Sequence, residues 1–285
     1  MSMGVNDIAF PNLHIYIRDV PKTFSIFGFE IALYGCIISF GMLLCVLLAA
    51  YDRRSRGLKE ETLWDIAFFG IVFGIIGARI YYVIFAFEQY KNDPLSIFNL
   101  RQGGLAIYGG VIGGFLTSYI MCRIKKEDFL EFFDSVALAF PLGQCLGRWG
   151  NFFNREAFGG WYEGLFAMRL PIAAVRAGDI SQGIRSHLQE GMDYIMVHPT
   201  FLYESAWNAA VLVLLFLYRK KKKFRGEIFC LYLMLYGLGR FWIEALRTDQ
   251  LLLPVVKLPV SQCLALLCVL FSLAWEIKER KGKIA

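Results

Sequence analysis

The chain has 285 residues, of which 57% are hydrophobic, 16% aromatic and 19% charged, and its formal net charge is +6. Soluble domains carry about 25% charged residues, so this composition excludes an ordinary soluble enzyme. The excess of positive charge is concentrated in short segments between apolar runs, which indicates contact with anionic lipid headgroups and excludes nucleic acid as the partner.

Apolar runs long enough to cross about 30 Å of hydrocarbon as helices recur along the whole chain. Helix is the expected form, because lipid offers no partner to an unpaired backbone amide. The sequence therefore predicts an all-α integral membrane protein, a single polytopic domain over 1–285 with seven transmembrane helices. The predicted spans are 24–50, 63–87, 104–122, 129–147, 200–218, 227–246 and 259–276.

The charge of the connecting segments predicts the orientation. Basic residues are concentrated in 51–62, 123–127, 219–225 and the tail after Trp275, which alternate correctly for one membrane face. The positive-inside rule assigns that face to the cytoplasm. The amino end, 88–102, 148–199 and 247–258 then lie outside, and 156–197 forms a small extracytoplasmic insert between spans four and five, rich in turn residues.

The seven cysteines fall inside apolar runs, and the three histidines are widely separated. Neither pattern has the spacing of a disulfide framework or a metal site. We therefore expect no metal and no other cofactor.

Several ionisable residues fall within or at the ends of the predicted spans. Each costs about 2.5–3.5 kcal/mol at mid-membrane, so some are expected to reach the interface or to form structural pairs. In GLGRFWIEALR, Arg240, Glu244 and Arg247 share one helical stripe that runs toward the outer face, where Arg148 also lies. This predicts a hydrated cavity that holds an anion, with a purely structural Arg–Glu pair as the alternative. The ionisable residues within or at the ends of the predicted spans are Glu30, Asp65, Arg79, Asp134, Arg148, Glu204, Arg240 and Glu244.

Residues 146–160 read LGRWGNFFNREAFGG, the most polar stretch at the mouth of any span. A guanidinium forms bidentate bonds to phosphate, amides hold hydroxyls, and glycines let the backbone approach a ligand. A phosphate-containing headgroup accounts for this mixture. Simple interfacial structure with aromatic residues in the headgroup belt is an equally weighted alternative. The glycine-dense segment GGLAIYGGVIGG (103–114) indicates either close helix packing or a broken, non-helical entry whose backbone lines a cavity. Tyr108 is its one central polar side chain, and packing is the favoured interpretation.

The stretch GRWGNFFNREAFGG resembles the signature of the prolipoprotein diacylglyceryl transferase family. Further blocks resemble that family in the same order, so the resemblance covers essentially the whole chain. They are LYG (33–35), GARIYYVIF (77–85), GGLAIYGGVIGG, HPTFLYES (198–205) and GLGRFWIEALR (237–247).

The resemblance implies a transferase of the bacterial cytoplasmic membrane whose active site faces the extracytoplasmic side. It would move the diacylglyceryl group of phosphatidylglycerol onto the lipobox cysteine thiol of a prolipoprotein, forming a thioether and releasing glycerol phosphate. This would be the first step of lipoprotein maturation. The implied partners are phosphatidylglycerol, the prolipoprotein signal peptide and membrane lipids.

The family's residues carry over by position. Arg148 falls on the arginine that binds the headgroup, Arg240 on a second essential arginine, and Tyr34 on a tyrosine important in the family. Glu156 falls on a further signature position. The remaining positions implied in substrate binding are Asn151, Asn154, Gly159, Glu244 and Arg247.

Tyr108 departs from the family pattern, in which a histidine written as the catalytic base stands at this position. Three substitutes are open: Tyr108 as a phenolate, Glu156 as the base, or a field of arginines that lowers the thiol pKa without a dedicated base. The last is preferred, because tyrosine has an ordinary pKa near 10. The catalytic candidates are thus Arg148, Arg240, Tyr108 and Glu156.

A transporter or binding protein for an anionic lipid is the rival function. Transporters commonly show inverted repeats with broken helices in both halves. Here only one half has a glycine-interrupted span, and no internal symmetry is evident. A scaffold in a secretion complex is a third reading, which clustered intramembrane arginines disfavour.

Overall fold

A computed structural model of the chain describes residues 4–100, 103–253, 256 and 258–282. Parts of the predicted outer segments 1–23, 88–102 and 247–258, and the end of the predicted cytoplasmic tail, lie outside the described residues. The described part is mostly helical, which confirms the predicted class in its coarser form, and it also contains six short strands that were not predicted.

Six helices in the described part are long and apolar enough to cross a membrane, which supports a multi-pass membrane protein. They are α1 Leu33–Ser55, α2 Glu61–Phe85, α3 Ile107–Ile124, α4 Phe129–Asn154, α6 Thr200–Tyr218 and α8 Val260–Lys281. The structure also describes the short helix α5 Gln182–Arg185 and the helix α7 Glu227–Glu244. Helix α7 coincides with the predicted sixth span but carries three charged residues and is not among the six, so its crossing stays a prediction.

The predicted start of the first span is wrong. Residues 24–32 do not belong to the helix but to a hairpin, in which β3 (Thr23–Ile26) pairs with β4 (Phe29–Ala32). Phe27 and Gly28 form its two-residue loop with φ of +49° and +83°, the positive values that a type I′ turn requires. Hydropathy alone does not separate an apolar strand from a helix, so it predicts one continuous span here.

A four-stranded antiparallel sheet joins the amino end to the predicted insert. The strands are β1 Ile8–Phe10, β2 Ile15–Ile17, β5 Met168–Pro171 and β6 Tyr194–Val197. Their order in the sheet is β2-β1-β5-β6, with Ala9 opposite Arg169 and Leu170 opposite Ile195. Ile8, Leu170 and Ile195 are fully buried in the core of the sheet.

The chain divides into two compact units. Unit 1 comprises Met1–Cys45 and Ala137–Ala285, and unit 2 comprises Val46–Val136. In unit 1, glycines let α7 approach its neighbours: a Cβ on Gly237 would lie 2.7 Å from the Ala265 carbonyl oxygen of α8, and the Trp207 indole of α6 covers Gly239. The close approach fixes the helix that carries Arg240.

Unit 2 is built on close packing of α2 against α3. A Cβ on Gly77 would lie 2.5 Å from the Gly109 carbonyl oxygen, and one on Gly113 would lie 2.5 Å from that of Phe73. Gly77 of the GARIYYVIF block and Gly109 and Gly113 of the GGLAIYGGVIGG block therefore act as packing positions, as the sequence favoured.

Arg79 of α2 is 7% exposed and saturates its five N–H groups with backbone carbonyls. Its Nε donates to Ile97 at 2.7 Å, Nη1 to Gly103 at 2.8 Å and Gly104 at 3.0 Å, and Nη2 to Ser96 at 2.9 Å and Asn99 at 3.3 Å. This intramembrane arginine ties the loop that precedes α3 to α2.

Candidate functional site

Three helices of unit 1 bring five charged side chains together. Arg148 comes from α4, Glu204 from α6, and Arg240 and Glu244 from α7, with Arg247 just beyond the end of α7. We call this set the arginine–carboxylate cluster. It unites the signature segment with the HPTFLYES and GLGRFWIEALR blocks; the sequence predicted Arg148 near the stripe of Arg240 but did not place Glu204 with them.

Glu204 is the centre of the cluster and is only 4% exposed. Its Oε2 lies 2.5 Å from Nε of Arg148, and its Oε1 lies 2.9 Å from Nη1 of Arg240 and 3.6 Å from Nη1 of Arg247. One buried carboxylate therefore holds three guanidiniums at a single level of the helix bundle.

Glu244 and Asp249 complete the pairing. Oε2 of Glu244 lies 2.5 Å from Nη2 of Arg240, and Oδ2 of Asp249 lies 2.7 Å from Nη2 of Arg247. Burial raises the pKa of the Asp249 carboxyl, but the hydrogen bonds and charge of Arg247 outweigh it and hold that pKa below its ordinary value. The amide of Gln250 donates to the Glu244 carbonyl oxygen and fastens this end of α7.

At the buried centre of the cluster three arginines face Glu204 and Glu244, and Asp249 balances the remaining positive charge through its pair with Arg247. The arginine side chains keep exposures of 22% for Arg148, 14% for Arg240 and 12% for Arg247, whereas Glu204 and Glu244 are at 4% and 3%. The carboxylates thus lie behind the guanidiniums and fix them. Such an arrangement can bind a phosphate group at the guanidinium side with little reorganisation.

The signature segment links the cluster to Glu156. Nη1 of Arg148 donates to Oδ1 of Asn151 at 3.2 Å, and Nδ2 of Asn151 donates to Oε1 of Glu156 at 3.0 Å. Asn154 donates to the same oxygen at 3.3 Å, and Arg176 lies 3.3 Å from Oε2. Glu156 is therefore engaged on both oxygens and orients Asn151 toward Arg148.

The segment can present these side chains because α4 ends at Asn154. Arg155 and Ala157 then adopt positive φ of +55° and +56°, which turns the chain back toward Asn151. Arg155 is 1% exposed and donates to the carbonyl oxygens of Asn6 at 2.6 Å and Phe153 at 3.1 Å. This arginine of the signature thus anchors the amino-terminal segment.

Gly159 and Tyr34 occupy close-packed positions beside the cluster. A Cβ on Gly159 would lie 2.7 Å from the Leu246 carbonyl oxygen. The backbone N–H of Gly159 donates to the carbonyl oxygen of His198 at 3.0 Å. This packing holds the segment against Arg247, with which Gly159 forms a β-bridge. The Tyr34 ring, in the first turn of α1, packs on Gly150 of the signature helix, where a Cβ would lie 2.7 Å from its Cδ2.

Tyr108 lies in unit 2, in the first turn of α3, and its ring centroid is 6.4 Å from that of Tyr81. Its catalytic role stays a prediction. No group of three or more metal-ligating side chains occurs within residues 4–100, 103–253, 256 and 258–282.

The sequence reading missed two members of the site. Glu204 is an ionisable residue of a predicted span and lies in the HPTFLYES block, but no sequence pattern indicates that it faces three arginines. Asp249 lies two residues beyond Arg247 in the segment that joins α7 to α8. Residues two apart do not face each other on a helix, so helical spacing carried no signal of the Arg247–Asp249 pair.

Comparison with known proteins gives one consistent result. The family model described as "Prolipoprotein diacylglyceryl transferase" matches residues 21–277. A protein of Clostridioides difficile (strain 630) named "Phosphatidylglycerol--prolipoprotein diacylglyceryl transferase" is 42% identical over 247 residues, which cover 87% of this chain and 90% of that protein.

Two further relatives carry similar names. One from Clostridium kluyveri (strain NBRC 12016) is 42% identical over 90% of this chain and 94% of its own length. One from Clostridium perfringens (strain 13 / Type A) is 41% identical over 92% of this chain and 98% of its own length.

Proposed function

The chain belongs to the prolipoprotein diacylglyceryl transferase family, and from this membership we propose that its arginine–carboxylate cluster binds the phospholipid donor. The protein is a transferase that moves the diacylglyceryl group of phosphatidylglycerol to the cysteine thiol of a prolipoprotein. The observation that carries the assignment to this site is that three arginines converge on the buried carboxylate of Glu204 beside the signature segment.

Arg148 and Arg240 bind the phosphate of phosphatidylglycerol. Glu204 and Glu244 lie at their backs and keep the guanidiniums in place before the lipid arrives. Arg247, paired with Asp249, presents a further guanidinium at the margin of the cluster, while Asn151 and Asn154 supply amides for the glycerol hydroxyls of the headgroup.

The reaction makes one bond and breaks one. The cysteine sulfur attacks the diacylglycerol carbon that bears the phosphate ester, a carbon–sulfur bond forms, and the carbon–oxygen bond to phosphate breaks. The electron pair leaves with glycerol phosphate, so negative charge grows on the phosphate oxygens. Prepositioned guanidiniums in a water-poor site stabilise that charge, commonly the largest contribution to catalysis of this type.

The thiol must lose its proton for the attack. A cysteine thiol has an ordinary pKa near 8.5, and adjacent cations lower it. Glu156 accepts hydrogen bonds from two amides and pairs with Arg176, which suits a positioning role better than proton transfer. We therefore favour activation of the thiol by the arginine field.

The topology that goes with this proposal places the amino end outside and the carboxyl end in the cytoplasm of a bacterial cell, with seven spans in the cytoplasmic membrane. The support is the alternation of basic segments along the chain. The substrate-facing ends of α4 and α7 then open toward the extracytoplasmic side, where the lipobox cysteine of a translocated prolipoprotein is presented.

The test is a reconstituted transfer assay. The purified protein in phosphatidylglycerol liposomes is mixed with a reduced synthetic lipobox peptide, and the mass of the peptide is followed. We expect a diacylglyceryl increment on the cysteine, and no increment when phosphatidylethanolamine is the only lipid. A folded protein that gives no increment with phosphatidylglycerol would contradict the proposal and favour transport or binding of an anionic lipid, measured next as flux of labelled lipid.

A further inference from the structure

Unit 1 also has a groove far from the arginine–carboxylate cluster. It is formed by the end of α6, the first half of α7 and the end of α8. The groove has a volume of about 420 Å³, which is within the range of roughly 300–1,000 Å³ found for small-molecule sites. Its wall consists of leucines of α6 and α7, and its end is polar. The leucines are Leu214, Leu215, Leu217, Leu231 and Leu235, and the polar end is formed by Tyr218, Lys221 and Arg280.

Positive charge is concentrated around the polar end. Segment 219–225 holds six basic residues and the last turn of α8 three more, against the carboxylates of Glu227, Glu276 and Glu279. Lys221 continues α6 by one 3₁₀ turn, is exposed, and makes no ion pair with any residue that the structure describes.

Arg280 is fixed at the groove by its neighbours. Its Nη2 lies 2.5 Å from Oε1 of Glu276 and 3.1 Å from Oε1 of the fully buried Glu227, which also accepts a hydrogen bond from the Tyr218 hydroxyl at 2.7 Å. Its side chain is nevertheless 42% exposed, so part of the guanidinium faces outward beside Lys221.

We propose that this groove binds one anionic glycerophospholipid from the leaflet on the side of the basic segments. An acyl chain lies along Leu214, Leu217 and Leu231, and the headgroup phosphate lies between Lys221 and Arg280. The apolar wall matches the hydrocarbon, and the local excess of positive charge matches the phosphate. A zwitterionic headgroup gains less from this charge, so the site discriminates by headgroup.

The groove is separate from the donor-lipid site. Seventeen residues of continuous helix separate Glu204 from Lys221, which at 1.5 Å per residue is about 25 Å, nearly the thickness of the hydrocarbon core. A substitution at Lys221 therefore changes this groove without touching the arginine–carboxylate cluster.

Native mass spectrometry of the detergent-purified protein tests the proposal. Dioleoyl phosphatidic acid, which lacks the donor's glycerol headgroup, is titrated against dioleoyl phosphatidylcholine with the same acyl chains. Lys221→Gln is compared with Lys220→Gln, a neighbouring lysine that does not line the groove. Leu214→Trp narrows the apolar wall while keeping every charge, and the melting temperature of each variant verifies folding.

We expect Lys221→Gln to weaken phosphatidic acid binding about fivefold, the effect of one basic contact at a membrane surface, and Lys220→Gln less than twofold. Leu214→Trp should weaken it as well. Equal losses in the two lysine variants would show diffuse attraction to the basic segment and overturn the site. Equal binding of phosphatidic acid and phosphatidylcholine by the unaltered protein would overturn it too.

Discussion

Arg79 of unit 2 and the three arginines of the arginine–carboxylate cluster in unit 1 use their hydrogen-bond donors differently. Arg79 in unit 2 gives its five N–H groups to five backbone carbonyl oxygens of one loop. Arg148, Arg240 and Arg247 in unit 1 are held by carboxylates, above all by Glu204. The first arrangement saturates the guanidinium, and the second fixes each guanidinium while part of its side chain stays exposed.

The difference shows how to read an intramembrane arginine. A guanidinium surrounded by carbonyl oxygens has no donor left for a ligand and stabilises local backbone. A guanidinium supported from behind by a carboxylate is oriented and retains an open side. Burial alone does not separate the two, since Arg79 is 7% exposed and the Arg247 side chain 12%.

The largest expected effect is on catalysis. Arg148→Ala should lower the transfer rate by about 10²–10³, because it removes a fixed positive charge from the departing phosphate. Folding should be little affected, since Glu204 keeps Arg240 and Arg247 as partners. The transfer rate is measured by mass spectrometry of the peptide, and the effect on folding is measured as the melting temperature.

Arg176→Ala is the matched control for that variant. Its side chain is 77% exposed and pairs with Glu156, an ion pair worth at most about 1 kcal/mol, so its rate should change less than about threefold. An Arg148→Ala protein with normal transfer would remove Arg148 from the mechanism and place it with Arg79 as a structural residue.

Arg79→Ala should give the reverse pattern, a loss of stability rather than of chemistry. Several buried carbonyl oxygens lose their donor, at about 1–3 kcal/mol each where water does not replace it. We expect a clearly lower melting temperature, with a transfer rate per folded molecule that falls far less than in Arg148→Ala. A protein of unchanged stability would show that water substitutes for the guanidinium.

Much of this architecture could be predicted from the sequence, because spans and basic loops are local patterns. Six of the seven predicted spans coincide with helices apolar enough to cross a membrane. The start of the first span could not be read correctly, since the Phe27–Gly28 turn reverses an apolar run that hydropathy treats as continuous.

The elements that the sequence did not reveal depend on distant pairing. Strand β1 pairs with β5 through Ala9 and Arg169, 160 residues apart, and no local pattern specifies such a partner. Glu204 shows the same difficulty at the site: its ionisable character was visible, but its contact with arginines of two other helices requires the fold. The roles of Arg79 and Arg155 were hidden for the same reason.

A smaller effect is expected where backbone packing supports the cluster. Gly159→Ala should destabilise the protein by about 1–3 kcal/mol, because its Cβ would be forced against the Leu246 carbonyl oxygen and the His198 side chain. Gly160→Ala is the control, since nothing lies within 4 Å of a Cβ there. The melting temperatures of the two variants decide whether the adjacent glycines differ as the packing requires.

A weaker, pH-dependent effect should come from His198, which lies before α6 with its ring stacked on Tyr162 at 4.0 Å between centroids. Burial lowers the pKa of His198 below its ordinary value. The unfolded chain then binds a proton more readily than the folded one, so stability should fall as pH decreases from the unfolded pKa, about 6.5, toward the folded pKa. His198→Gln should flatten the melting temperature over that window, and the exposed His187→Gln should not.

The smallest effect is expected at Tyr108, which lies in unit 2. Tyr108→Phe removes only the phenol hydroxyl and keeps the ring that lies beside Tyr81. If the arginine field of unit 1 activates the thiol, the transfer rate should stay within about threefold of the unaltered protein at every pH. A general base contributes about 10²–10⁴, so a loss of that size would make the phenol the proton acceptor. Unit 2 would then supply chemistry as well as the packing that Arg79 and its glycines provide, and activation by arginine charge alone would be wrong.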